Sequence, residues 1–176
     1  MLPVIQRRKF LAVPPAASTG TACSLRHFSG PADVGLWLDL RQRAFARQRV
    51  GVGQWTEADF QREFLDKPWW QPERLWFAHP PRTGSGSESQ AIGTVALALR
   101  GEGPSAKAVV HWLCVLPAWR GRGVGRLLMH AVESAAWDAG YREIWLETHV
   151  AWQEAASFYD RLGYLSVDRQ QEQQQQ

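Results

Sequence analysis

The chain has 176 residues, 45% of them apolar, with a mean hydropathy of −0.34 and a formal net charge of +3. One domain with a real core fits that length, and no apolar run approaches the roughly 20 residues that a membrane-spanning helix needs. The mild basicity (pI about 9.2) suits an anionic ligand without demanding one. The two cysteines, Cys23 and Cys114, show no paired spacing, which fits a reducing compartment such as the cytoplasm.

In chain order, residues 1–21 read as a flexible extension. Gln6-Arg7-Arg8-Lys9-Phe10-Leu11 has the outline of a twin-arginine export signal, but the apolar run behind it is short and Pro14-Pro15 interrupts it. Residues 23–28 form a predicted strand. Pro31 to Gln48 is a helix with Leu36, Trp37, Leu40, Ala44 and Phe45 on one face, ended by Gly51-Val52-Gly53. Thr56 is placed as the N-cap of a second helix, with Phe60 and Phe64 one turn apart, and Pro68 and Pro72 bracket a Trp-rich loop. Arg74 to Ala78 and Ala91 to Leu99 read as strands joined by a flexible Thr83-Gly84-Ser85-Gly86-Ser87 connector, and 107–115 as a third. A helix from Val124 stops before Gly140, and Arg142 to Thr148 is a strand. Gln153 to Leu162 is a short helix ended by Gly163, and Tyr164 to Val167 a last strand. The Gln-rich 169–176 is a polar tail expected to be disordered. A single domain is therefore expected over 22–168. Its order, βαα, three strands, then αβαβ, requires a mixed sheet packed against helices.

The stretch with the most chemistry is Arg120-Gly121-Arg122-Gly123-Val124-Gly125. It lies between the strand ending at Val115 and a helix with Val124, Leu127, Leu128, Ala131, Val132 and Ala135 on one face. Such a turn is an anion site, because free N–H groups and the positive end of the helix dipole meet there. Gly121, Gly123 and Gly125 let the backbone approach a ligand, and Arg120, Arg122 and Arg126 add charge suited to phosphate oxygens. A P-loop is disfavoured, since no Lys-Ser/Thr pair follows. A dinucleotide fingerprint is disfavoured too: Arg126 stands where its third glycine belongs, and a run of strands precedes it.

The remaining pattern, Arg/Gln-x-x-Gly-x-Gly between strand and helix, resembles the acetyl-CoA signature of the GCN5-related N-acetyltransferases (GNAT). The resemblance runs from Leu113 through Leu128. It is joined by Ala155-Ala156-Ser157-Phe158-Tyr159-Asp160-Arg161-Leu162-Gly163-Tyr164, similar to the family's second signature. It implies an α+β GNAT fold: a mixed, mostly antiparallel central sheet with helices on both faces. It also implies direct transfer of an acetyl group from acetyl-CoA to a primary amine of a small molecule or protein, with no metal. By the same resemblance, Leu113 and Cys114 pair with the pantetheine amides and the Val115 N–H serves the oxyanion. Arg120, Gly121, Arg122, Gly123, Val124, Gly125 and Arg126 hold the pyrophosphate. Tyr159 matches the family's general acid, which protonates the leaving thiolate. Where the family often has an asparagine this chain has Trp152, which either packs on the cofactor or closes the site from the side. The Cys114 thiol is expected to pack rather than attack, because direct transfer needs no such nucleophile.

An alkylammonium has a pKa of about 10, so the acceptor needs a base. His111 is the candidate: it lies four residues before Val115 on one strand and is expected on the same face. The arylalkylamine N-acetyltransferases look similar in carrying a histidine at this point, and a hydrogen-bonded histidine on the sheet surface is the other reading. Glu147 and His149 are the alternative bases. The acceptor is expected against residues 45–76, where Trp55, Trp69, Trp70, Arg74 and Trp76 gather. An aromatic wall suits an apolar or cationic amine, and equally the plug of a small core. The segment Phe64 to Ala78 is similar to the corresponding part of mycothiol synthases. The alternative function is a non-catalytic acyl-CoA-binding regulatory module of the same fold, against which intact His111 and Tyr159 speak. Neither nucleic acid nor membrane is expected as a partner, since the basic cluster is confined to one turn with Glu133, Asp138 and Glu143 close behind. A homodimer stays open.

Overall fold

The computed structural model describes residues 4–16, 20–47, 53–81 and 90–167. The expected connector at 83–87, the break at Gly51-Val52 and the Gln-rich tail lie outside the described residues. The elements are β1 (Val4–Phe10), β2 (Ser24–His27), α1 (Ala32–Ala44), α2 (Glu57–Phe60), β3 (Leu75–His79) and β4 (Gly93–Arg100). They continue with β5 (Lys107–Val115), α3 (Val124–Asp138), β6 (Glu143–His149), α4 (Gln153–Arg161) and β7 (Leu165–Val167). The strands make one sheet in the order β2-β3-β4-β5-β6-β1-β7, antiparallel at every pairing except β5 with β6. This is the expected mixed α+β sheet. Helices α1 and α2 cover one face of it, α3 and α4 the other.

Apolar stripes dock the helices. Trp37, Leu40 and Ala44 of α1 are buried, and the Trp37 ring is surrounded by Trp55, Phe60, Phe64 and Trp112 at centroid distances of 5.0–6.1 Å. Thr56 caps α2 through a capping box with Asp59, as its sequence position predicts. Immediately after α2 the chain widens into a π-helical turn, Gln61–Leu65. That turn buries Phe64 and sends Glu63 to β5.

The flexible extension expected over 1–21 does not hold for Val4–Phe10. This segment is β1, and it lies between β6 and β7, antiparallel to both. Its charges hid it, but each has a partner from a distant element. Arg7 meets Asp160, Arg8 lies 3.5 Å from Glu143 and over the Trp145 ring, and Lys9 is 2.8 Å from Glu133. With both edges laddered and the charges compensated, a basic segment is a stable interior strand.

A second departure lies in β5. Thr94 pairs with Cys114 and Ala96 with His111, so three steps on β5 oppose two on β4. Trp112 occupies this bulge with φ of +49°, a left-handed backbone rare for a bulky side chain. The extra residue resets the alternation of faces. A Cβ on Gly93 would touch Leu128 and Val124 of α3, so its partner Val115 faces α3. His111 and Cys114 face α1 and α2 instead. The expectation that His111 and Val115 share a face is therefore corrected.

Asp33, in the first turn of α1, accepts from Arg26 at 2.7 and 2.8 Å and from the Ser29 N–H at 2.7 Å. The Arg26 guanidinium, and after it the Ser29 bonds, outweigh burial and hold the Asp33 carboxyl below its usual range. The unfolded chain then binds a proton more readily than the folded one near pH 4. The contribution is complete above the unfolded value of about 3.9 and is lost as pH falls through the lower folded value. Asp33→Asn is expected to cost about 1–2 kcal/mol at neutral pH, discounted because Arg26 is partly exposed. It should also flatten the loss of stability below about pH 4. Thermal melts of both proteins between neutral pH and pH 3 would check this.

Candidate active site

Strands β5 and β6 pair only at Ala108↔Ile144 and Val109↔Trp145; beyond these residues they part. At the open end the Leu116 N–H donates to the Ile92 carbonyl at 2.9 Å, on the β4 edge. Successive amides in a strand point to opposite edges, so the N–H groups of Val115 and Leu113 face the gap. The Val115 carbonyl accepts from Arg120 Nε at 3.1 Å, and Arg120 Nη2 donates to the Ala44 carbonyl at 2.8 Å. Arg120 is thus a strut between β5 and the end of α1, where the sequence suggested a side chain aimed at phosphate.

Helix α3 starts at the lip of this gap. Its N-cap, Gly123, has φ of +83° and offers no side-chain cap. The first helical bond runs from the Leu127 N–H to the Gly123 carbonyl at 2.9 Å, so the N–H groups of Val124, Gly125 and Arg126 have no helical acceptor. Gly121 and Arg122 are exposed, and the Arg122 guanidinium lies 5.2 Å from the Trp119 ring. Arg126 is exposed, with no hydrogen bond or ion pair to another described residue. Gly125 is a packing requirement: a Cβ there would stand 3.1 Å from the Phe158 ring of α4. Thr21 passes against Gly123 on the other side.

On the α1–α2 face, His111 Nε2 lies 2.9 Å from Glu63 Oε1, close although the ring N–H is not well aligned. The His111 ring beside Glu63, opposed by burial and assisted by the Trp112 indole, holds the Glu63 carboxyl below its ordinary range. Phe64, Trp69 and Trp112 surround His111 at centroid distances of 5.4–6.1 Å. Buried Arg41 places its guanidinium carbon over both Trp55 and Trp112, 4.3 and 4.7 Å from their centroids. One residue expected in the aromatic wall lies elsewhere: Trp76 pairs with Val95, on the α3 face, whereas Arg74 donates to the carbonyl of Trp69 at 2.6 Å. Glu63 escaped the sequence reading, and an acidic residue one position before Phe64 in a helical segment was its only signal.

The alternative bases are occupied. Glu147 lies 2.9 Å from Arg100 and accepts from Gln6. His149 Nδ1 accepts the Ala151 N–H at 3.0 Å, which uses its basic lone pair and places the proton on Nε2.

Behind the gap, on the α3–α4 side, Tyr159 is buried with its ring 5.9 Å from Tyr164. Burial drives its hydroxyl well above the ordinary phenol range, with Arg7 pulling the other way and Cys114 adding to the rise. Burial likewise pushes the Cys114 thiol up to about 12, so it stays protonated and is no nucleophile at neutral pH. Trp152 stacks on Phe45, centroids 5.6 Å apart, and tilts against His149 at 5.9 Å. Its buried indole N–H has no acceptor among the described residues.

A strand, a glycine turn and a helix thus stand beside a sheet that opens between two parallel strands, and sequence comparison gives the class of this arrangement. Residues 41–164 match the Acetyltransferase (GNAT) family, and the chain belongs to it. It is 29% identical over 159 residues to a mycothiol acetyltransferase of Mycobacteroides abscessus, covering 90% of this chain and 51% of that one. It is 27% identical over 144 residues to an aminoglycoside N(6')-acetyltransferase type 1 of Stenotrophomonas maltophilia, covering 79% and 84%. The chain thus spans about half the length of the mycothiol acetyltransferase. In fold it is similar to a GCN5-related N-acetyltransferase of Sphaerobacter thermophilus, with a TM-score of 0.72 at 20% identity over 93% of this chain and 48% of the other. It is also similar to AAC(6')-Iy in complex with a bisubstrate analogue of CoA and acetylneamine, with a TM-score of 0.59 at 21% identity over 84% and 93%.

Gly125→Ala should displace the Phe158 ring and with it the start of α3. A cost of about 1–2 kcal/mol and a fall in Tm of roughly 2–8 °C are expected. Calorimetry would read this, and an unchanged Tm would show that Phe158 has room to retreat.

Proposed function

We propose that this chain transfers an acetyl group from acetyl-CoA to a primary amine, with the two substrates meeting at the gap between β5 and β6. The observation that carries the reading is that two parallel strands part beside an uncapped helix start, with the Val115 N–H turned into the opening. The cradle fits a CoA diphosphate. The N–H groups of Val124, Gly125 and Arg126 lack helical acceptors, Gly123 brings the backbone close, and Arg122 and Arg126 stand exposed beside them. Leu113 and Val115 offer a strand edge to the pantetheine amides, with Cys114 as apolar lining between them. Trp152 offers an unused indole donor at the same side.

In this reading His111 accepts the proton of the acceptor ammonium, and Glu63 steadies the imidazolium that results. The amine nitrogen then bonds to the thioester carbonyl carbon, and the Val115 N–H stabilises the charge that develops on the carbonyl oxygen. As the C–S bond breaks, its electron pair stays on sulfur and Tyr159 gives that sulfur its proton. The new amide nitrogen sheds its second proton to solvent as the intermediate collapses, and solvent returns the proton from His111 to Tyr159, leaving a neutral amide and free CoA. Phe64, Trp69 and Trp112 around His111 and Glu63 support an acceptor that arrives as a cation with an apolar body. The functional unit includes β1 as well as residues 22–168. The free thiols of Cys23 and Cys114 support a reducing compartment.

Acetyl-CoA at a hundredfold excess over its Kd should raise Tm by about 5–10 °C. Release of CoA thiol should then be sought with neamine, phenylethylamine and a peptide with a free N-terminus. His111→Ala is expected to lower kcat/KM for the amine about 100-fold while the thermal shift with acetyl-CoA persists. Absence of any shift would remove the donor assignment, and unchanged turnover in His111→Ala would remove the base.

A further inference from the structure

Strand β1 carries one residue that sheet formation alone does not explain. Arg7 is 5% exposed, a depth at which arginine is rare without a paired or functional reason. Its ion-pair partner, Asp160 at the end of α4, is 62% exposed on its side chain, so that pair gives no cause to bury the cation. The same Nη1 also donates to the Tyr164 carbonyl at 3.4 Å, and the Tyr164 N–H in turn donates to the Tyr159 carbonyl at 3.0 Å. Arg7 Nε is buried with no partner among the described residues. One side chain from the N-terminal strand thus holds the last turn of α4 and the entry to β7, both directly after Tyr159 in the chain.

The charged and titratable groups around Tyr159 come from four elements. Cys114 of β5 is a protonated thiol, and Tyr164 donates to Glu133 of α3 at 3.0 Å. Lys9 of β1 is held 2.8 Å from Glu133, and Asp160 is taken by Arg7. Arg7 is the cation that acts on the phenol against the desolvation of its site.

We infer that Arg7 is a positioning residue for the proton donor of the reaction. It fixes the α4 turn that carries Tyr159 and sets a permanent positive charge beside the phenol as negative charge gathers on the leaving sulfur. The inference rests on the reading of Tyr159 as that donor. The O–H proton passes to sulfur as the C–S bond breaks, and a nearby cation favours the tyrosinate that is left. An N-terminal segment that looks like an extension is in this way part of the active site.

The test is a double-mutant cycle between Arg7 and Tyr159 in the full chain. CoA thiol release from acetyl-CoA is followed with phenylethylamine as acceptor and, in its absence, with water. Arg7→Met is expected to lower kcat about tenfold with KM for acetyl-CoA changed less than about twofold, and to add nothing in a Tyr159→Phe background. Arg7→Lys, which keeps the charge, should recover most of the rate. Should the apolar variant fold poorly, Arg7→Gln makes the same comparison. An equal fall in both backgrounds, or no fall beside an intact Tyr159, would overturn the role of Arg7. Unchanged kcat in Tyr159→Phe alone would instead overturn the reading of the acid on which it rests.

Discussion

Two parallel strands that separate after two rungs leave main-chain amides with no partner, and the rest of the molecule is arranged around that opening. A buried amide without an acceptor costs roughly 1–3 kcal/mol, so such a gap is stable only where a ligand or water completes it. Arg120 props the open end by holding the Val115 and Ala44 carbonyls, and α3 begins at the same lip with its first N–H groups free. The bulge at Trp112 belongs to the same construction. It turns the His111 side chain toward α1 and α2, on the face opposite the Val115 side chain, while the Val115 N–H points along the sheet into the gap.

The two sides differ in how they treat charge. On the α1–α2 side, Glu63 stays ionised below its ordinary range because the His111 ring stands beside it within an aromatic enclosure. On the α3–α4 side, burial keeps Tyr159 protonated, and Arg7 is the counterweight. A site divided in this way can take a proton on one face of the sheet and give one on the other, which is what acetyl transfer to an ammonium requires. The aromatic residues serve structure and site together: the rings about Trp37 that close the core continue into those about His111.

Much of this was legible in the sequence because the features are local. The 3.6-residue stripe from Val124, the glycines before it and the Thr56 cap each declare themselves within a few residues, and Tyr159 is singled out only by the resemblance of residues 155–164 to a family signature. What escaped depends on contacts between distant segments. Strand β1 looked like a basic extension because Asp160, Glu143 and Glu133, which compensate its charges, lie more than 120 residues away. The bulge has no glycine to announce it, so simple alternation placed His111 on the wrong face. Glu63 sits in a π-helical turn whose extra residue defeats ordinary helical periodicity.

The central claim is that the gap between β5 and β6 receives the thioester, and a crystal structure with a non-hydrolysable acetyl-CoA analogue tests it most directly. The account predicts the carbonyl oxygen of the analogue within about 3 Å of the Val115 nitrogen. It also predicts the diphosphate on the N–H groups at the start of α3 and the sulfur on the Tyr159 side. An analogue bound elsewhere, or one in the gap with its carbonyl turned away from Val115, would contradict it.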